Sequence, residues 1–179
     1  MIPRSSSYKV AYISYLTHGR ASEALKDPSE RIGYLIWQIS QAYTLRFERA
    51  LRPLGLTQAQ FSTLVRLSLD GPLSSAELAR RCGVTAQSMG TALRSLVERG
   101  LVERHPHPTH GKIIEMCVTA AGEALAQQGE TALEPCEQET LEPFLPHEQE
   151  LVRAHLRRML GALNAPALGP GNGSQYDGT

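Results

Sequence analysis

No stretch of this 179-residue chain approaches the run of about 18 apolar residues that a membrane-spanning helix needs, so no span is expected. One short apolar run, Val10 to Leu16, follows Arg4 and Lys9. It holds Ser14 and two tyrosines, and no small-x-small cleavage site comes after it, so the chain reads as a cytoplasmic protein and not as a secreted one. Cysteine is scarce as well. Cys82, Cys117 and Cys136 are odd in number and lack CxxC spacing, which excludes a disulfide framework or a cysteine zinc site and fits reduced thiols. A glycine-rich phosphate loop, a GxSxG elbow and an HExxH helix are all missing, so neither an enzyme nor a cofactor is expected.

Net charge is missing too, with 18 Lys/Arg against 18 Asp/Glu, but the zero averages over unlike parts. Residues 1–52 carry eight Lys/Arg and four Asp/Glu, residues 57–117 seven and five, and residues 118–160 three and eight. A basic front and an acidic back suit a protein that turns one face to a polyanion, although a solvated surface of mixed charge has the same composition.

What the sequence does have is helical periodicity with clear start and stop signals. Residues 1–29 show no sustained period and read as an extension of uncertain order, closed by Asp27–Ser29 like a helix start. Ile32, Leu35, Ile36, Ile39, Tyr43, Phe47, Ala50 and Leu51 then form one face of a long helix, which Pro53 and Gly55 end. Thr57–Gln60 and Ser74–Glu77 both read as capping boxes, opening helices that run to about Leu69 and Cys82. Gly83 supplies the left-handed backbone of a tight turn, and Thr85 caps a further helix with Met89, Leu93, Leu96 and Val97 facing inward. Two short helices joined by a turn containing glycine form a helix-turn-helix.

Gly100 ends the last of these helices. Leu101–Arg104 and Ile113–Val118 then read as strands around a polar histidine-rich loop, a β-hairpin wing. Thr119–Leu141 reads as a long helix that Pro135 should kink or end. Pro146 suits the first position of a final helix, whose apolar face is Leu151, Val152, Leu156, Met159, Leu160 and Leu163. The expected fold is mainly α with a small β-hairpin wing: a winged helix-turn-helix over about 57–118, dimerisation helices over about 31–52 and 119–164, and a disordered Gly/Pro-rich tail over 165–179.

In a helix-turn-helix the second helix lies in the major groove with its N-terminal residues at the base edges. Gln87, Ser88, Gly90, Thr91 and Arg94 lie opposite the inward Met89 and Leu93, with Thr85 at the helix start. Glutamine pairs with adenine and arginine with guanine, while Ser and Thr bond bases or phosphates. Such residues also form the solvated side of any amphipathic helix. The turn, the wing and both capping boxes together favour double-stranded DNA as the partner.

At this point the phrases "GLTQAQFSTLVRL", "SSAELARRCGVTAQSMGTALRSLVERGLVER" and "VTAAG" resemble the MarR family of bacterial transcriptional regulators over about Arg31 to Asn164. The resemblance implies a winged-helix homodimer held by its first and last two helices. It implies a pseudo-palindromic operator, repression, and release by a small aromatic or phenolic ligand or by thiol oxidation. Such a ligand is expected at the junction of the first helix and the DNA-binding lobe, with Tyr34, Trp37 and Tyr43 as walls. The wing departs from the family. Where members usually carry Asp-x-Arg or Asp-Arg-Arg, this chain has His110, Gly111 and Lys112, so His107, His110 and Lys112 are expected at phosphates and minor-groove reading is put in doubt.

Three other readings stay open. A redox sensor would use Cys136, although it sits among Glu134, Glu137 and Glu139, and the first long helix has no cysteine. A metal sensor would use His105, His107 and His110 with His147 and His155, although prolines separate the wing histidines and no second-shell carboxylate is evident. An architectural DNA binder would need no ligand at all.

Overall fold

The computed structural model describes residues 27–109 and 113–169. A 3₁₀ turn at Pro28–Glu30 leads in, with the Asp27 carboxylate accepting from the Ser29 N–H at 2.9 Å. Helix α1 (Ile32–Leu51) follows, and the boundary between two compact units falls within it, one ending at Ser40 and the next beginning at Gln41. From Ile32 to Ser40 no residue is buried; Ile32 is 66% and Trp37 49% exposed. The Tyr34 hydroxyl accepts from Gln38 Nε2 at 2.8 Å, and its ring lies 6.2 Å from that of Trp37.

The second unit is built from α2 (Gln58–Asp70), β1 (Leu73–Ser74), α3 (Ser75–Arg81), α4 (Ala86–Glu98), β2 (Val102–Pro106), β3 (Ile114–Val118), α5 (Ala120–Leu141) and α6 (Pro146–Asn164). Both expected capping boxes are present. The Thr57 hydroxyl accepts from the Gln60 N–H while Gln60 Oε1 accepts from Thr57 N, and Ser74 and Glu77 do the same for α3. Each box satisfies two backbone donors that a helix start otherwise leaves without partners.

One apolar core joins these elements apart from α6. Leu51 from the last turn of α1, Leu64, Leu67, Leu78, Met89, Leu96 and Val102 are fully enclosed. The sheet is antiparallel with order β1-β3-β2, Leu73 opposite Met116 and Val102 opposite Val118. Strand β1 is an addition to the expected two-stranded hairpin. Two residues carry no readable period, and only pairing with β3 makes them a strand. The hairpin itself sits where the sequence placed it, within a residue or two at each end.

Gly122, in the first turn of α5, lies against Leu101 just before β2. A Cβ there would overlap the Leu101 carbonyl oxygen, which already accepts from the Thr119 N–H at 3.1 Å. Only a residue without a side chain lets α5 start this close to β2.

One expectation is narrowed and another corrected. Of the two outcomes expected at Pro135, ending the helix does not occur, since α5 runs through it to Leu141. The proline removes one backbone donor, and Thr131, whose carbonyl loses that bond, is exposed to water that can replace it. The expected disordered tail begins instead with a 3₁₀ turn, Ala165–Leu168. Asn164 Nδ2 donates to the Arg80 carbonyl at 3.3 Å and the Arg66 guanidinium donates to that of Ala167, so these residues have partners that composition alone did not show. Residues 170–179 and 1–26 lie outside the described residues.

Candidate nucleic-acid interface

Helix α4 owes its position to its two faces. Met89, Ala92, Leu93 and Leu96 are buried against the core, and the half-buried Val97 completes that face. Thr85, Gln87, Ser88, Thr91 and Arg94 are all exposed on the other, and Gly90 is intermediate. The residues read from the sequence as a DNA-facing set thus share one open surface.

Three of them, Thr85, Ser88 and Thr91, are partly engaged with the helix itself. The Thr85 hydroxyl accepts from the Ser88 N–H at 3.1 Å, and its oxygen lies 2.9 Å from Ser88 Oγ. Thr91 donates to the Gln87 carbonyl at 3.2 Å. Each oxygen keeps acceptor capacity, but Gln87 and Arg94 are the side chains with the reach and donor pattern for base edges.

A glycine turn leads from α3 into α4, and an ion pair ties α3 back to α2. Gly83 has φ 64°, the left-handed conformation that other residues resist. Asp70, at the end of α2 and almost enclosed, takes Arg81 Nη1 of α3 at 2.6 Å and Arg66 at 3.7 Å. Charge-assisted contacts of this kind fix direction as well as distance.

Two of the wing histidines have carboxylate neighbours. Glu103 Oε2 lies 3.1 Å from His105 Nε2, and Glu115 Oε1 lies 3.6 Å from His107 Nε2. His107 Nδ1 also accepts from the Thr109 N–H at 3.2 Å, so this half-buried ring is built into the wing. Carboxylates therefore do face these histidines, contrary to the sequence expectation. Strand alternation puts residues 103 and 105 on one face, and the register sets His105 opposite Glu115. His110 and Lys112 lie outside the described residues. Among the described residues no three His, Cys, Asp or Glu side chains converge as metal ligands.

Two of the three thiols, Cys82 and Cys117, are poorly suited to redox sensing. Burial pushes the Cys82 thiol above its ordinary value. Burial also raises that of Cys117, with Glu115 and Glu103 adding to the effect. Both shifts lower the share of reactive thiolate at neutral pH. Cys136 is half-buried on α5.

Sequence reading missed the side chains that fasten α4 to its neighbours. Gln60 is buried, and beyond its capping bond its Nε2 donates to Ser95 Oγ at 2.9 Å. Arg99, the residue after α4, donates through Nη1 to the Gly55 carbonyl at 2.9 Å and through Nη2 to that of Leu54 at 3.5 Å. Neither long-range partner has a sequence signature.

A three-helix lobe with a hairpin wing, a glycine turn between its last two helices and an open polar face on the third defines a winged-helix DNA-binding protein. Comparison with known proteins narrows this. Residues 54–113 match the sequence profile of the MarR family. The HTH-type transcriptional repressor Rv2887 of Mycobacterium tuberculosis is 34% identical over 128 residues, covering 72% of this chain and 92% of the relative. A probable transcriptional regulator from Pseudomonas aeruginosa is similar in structure, with a TM-score of 0.66 at 29% identity over 74% of this chain and 99% of that one. The crystal structure of Rv2887 in complex with salicylic acid gives a TM-score of 0.62 at 34% identity, over 72% of this chain and 96% of that one. The chain belongs to the MarR family and is a DNA-binding transcriptional regulator. No described helix is long and apolar enough to cross a membrane.

Proposed function

We propose that the protein is a homodimeric repressor whose paired α4 helices read a pseudo-palindromic operator and which a small aromatic acid releases. The observation that carries the reading is the division of α4 into a buried apolar face and an exposed face holding Gln87, Thr91 and Arg94. Two such helices in a dimer meet successive major grooves about 34–36 Å apart. Within this reading the DNA-binding lobe spans about 57–118. Gln87 and Arg94 specify bases, Thr85, Ser88 and Thr91 position the helix, and His107, His110 and Lys112 serve the wing at phosphates.

The dimer follows from unmet burial. No residue of α6 is buried, and Leu151, Leu156 and Leu163 stand open on it, while Ile32, Ile36 and Ile39 do so on α1. Apolar surface of this extent marks an interface. The ligand class is supported by the salicylic acid bound to Rv2887 and by the aromatic side chains of α1, Tyr34, Trp37 and Tyr43.

The test starts with selection of bound sequences from random DNA. Against the selected site, Gln87→Ala and Arg94→Ala should each cost about 1–3 kcal/mol and relax preference at particular bases. Equal affinity of the native protein for selected and scrambled DNA would sink the proposal. A panel of aromatic acids should raise the melting temperature and dissociate the complex, because a ligand bound only by the folded state stabilises it.

A further inference from the structure

We infer that Arg99 and Gln60 are positioning residues that set the roll of α4 about its own axis, and so its base preference, by locking it to the corner between α1 and α2. This inference rests on α4 being the reading helix. The corner runs from Leu54 to Gln60 and grips α4 at two places. Gln60 Nε2 holds Ser95 Oγ at 2.9 Å, and the Arg99 guanidinium spans the adjacent carbonyls of Leu54 and Gly55. Ser95 and Arg99 are four residues apart, one above the other on the same stripe, where a helix repeats every 3.6 residues. Ser95 also follows Arg94 directly and lies one turn after Thr91, so the grip borders the reading face.

The apolar contacts of α4 leave this degree of freedom loosely set. Met89, Leu93 and Leu96 hold the helix against the core, but burial is non-directional, and a small roll preserves most of it. Hydrogen bonds to fixed backbone carbonyls are directional. A helix with its side chains is about 10–12 Å across, so a roll of about 10° moves a side-chain tip by about 1 Å. That exceeds the roughly 0.5 Å within which a binding constellation must be held. Arginine suits the task because its planar fork donates to two acceptors at once, which an ammonium on a flexible stem does not reproduce. The corner is itself well fixed. Gln60 Oε1 closes the α2 capping box, and Leu56 N donates to Leu51 O at 3.3 Å.

The experiment compares Arg99→Ala, Arg99→Lys and Ser95→Ala with the native protein, measuring affinity for selected and scrambled DNA across a salt series. Thermal melting identifies any variant that does not fold, and Ser95→Ala, which removes only one oxygen, keeps the comparison available if the arginine variants fail. The expected result is a loss of discrimination of about tenfold in both arginine variants and a smaller loss in Ser95→Ala, with scrambled-DNA affinity and salt slope unchanged. Retention of native behaviour by Arg99→Lys, with a slope that falls in Arg99→Ala by about 0.9 per contact, would make Arg99 a phosphate contact and overturn the inference. Native discrimination in all three variants would also overturn it. Gln87→Ala and Arg94→Ala, run alongside, locate the failure. If they change base preference while the three variants do not, only the positioning role falls; if they also change nothing, the reading role of α4 falls with it.

Discussion

The winged-helix lobe and helix α6 contain similar leucines and treat them oppositely. In the lobe, Leu64, Leu78 and Leu96 are fully enclosed by neighbours from the same chain; on α6, Leu163 is 80% exposed and no residue is buried. Both have the amphipathic period of a helix with one face to cover. The difference teaches that periodicity states the need for burial and leaves open what meets it. A lobe of short helices and a sheet meets that need internally, whereas the apolar stripe of α6 stays exposed.

The largest expected effect tests that second statement. Leu156→Glu with Leu163→Glu should shift the protein from dimer to monomer in sedimentation at micromolar concentration while the lobe keeps its melting behaviour. A double variant that stays dimeric would remove α6 from the interface and break the comparison. Next in size, Leu96→Ala should cost about 2–5 kcal/mol through the cavity it leaves, read by denaturant unfolding. Leu151→Ala, measured in the monomeric double variant, should fall within about 0.5 kcal/mol of its parent. Equal costs at the two positions would mean that α6 is covered by its own chain.

Gly122→Ala sharpens the picture of the lobe. The added methyl meets a backbone carbonyl that cannot swing aside, so a loss of at least about 1–3 kcal/mol is expected in the same assay. The smallest effect is electrostatic. Hydrogen bonds from the Ser74 hydroxyl, and then from its backbone N–H, hold the Glu77 carboxyl below its ordinary 4.5. A lowered folded-state value means that the stabilisation is complete above the unfolded value and is lost as pH falls through the folded one. Ser74→Ala should therefore cost about 1 kcal/mol at neutral pH, as cap losses do. The gap from the native protein should narrow as the solution is acidified below the ordinary glutamate range. A gap that is independent of pH would assign the loss to the cap geometry alone.

Much of the interface was legible in the residues. The capping boxes, the turn glycine and the i, i+4, i+7 spacing of Met89, Leu93 and Leu96 together dictate which side of α4 faces out. The wing was harder, because no carboxylate was evident beside its histidines until strand alternation set Glu103 next to His105 and the pairing of β2 with β3 brought Glu115 near His107.

By itself the sequence determined the elements, their caps and their faces, since these depend on interactions within four residues of one another. Only tertiary structure decided the third strand, the passage of α5 through Pro135, the docking of Asn164 and Ala167, and the grip of Arg99 and Gln60 on the corner beside α4. The strand, the docking and the grip join residues far apart in the chain, and the helix keeps its proline because the carbonyl left without a donor faces water. Hydrogen bonds to distant backbone carbonyls need no particular residue type at the acceptor, so no pattern in the sequence announces them.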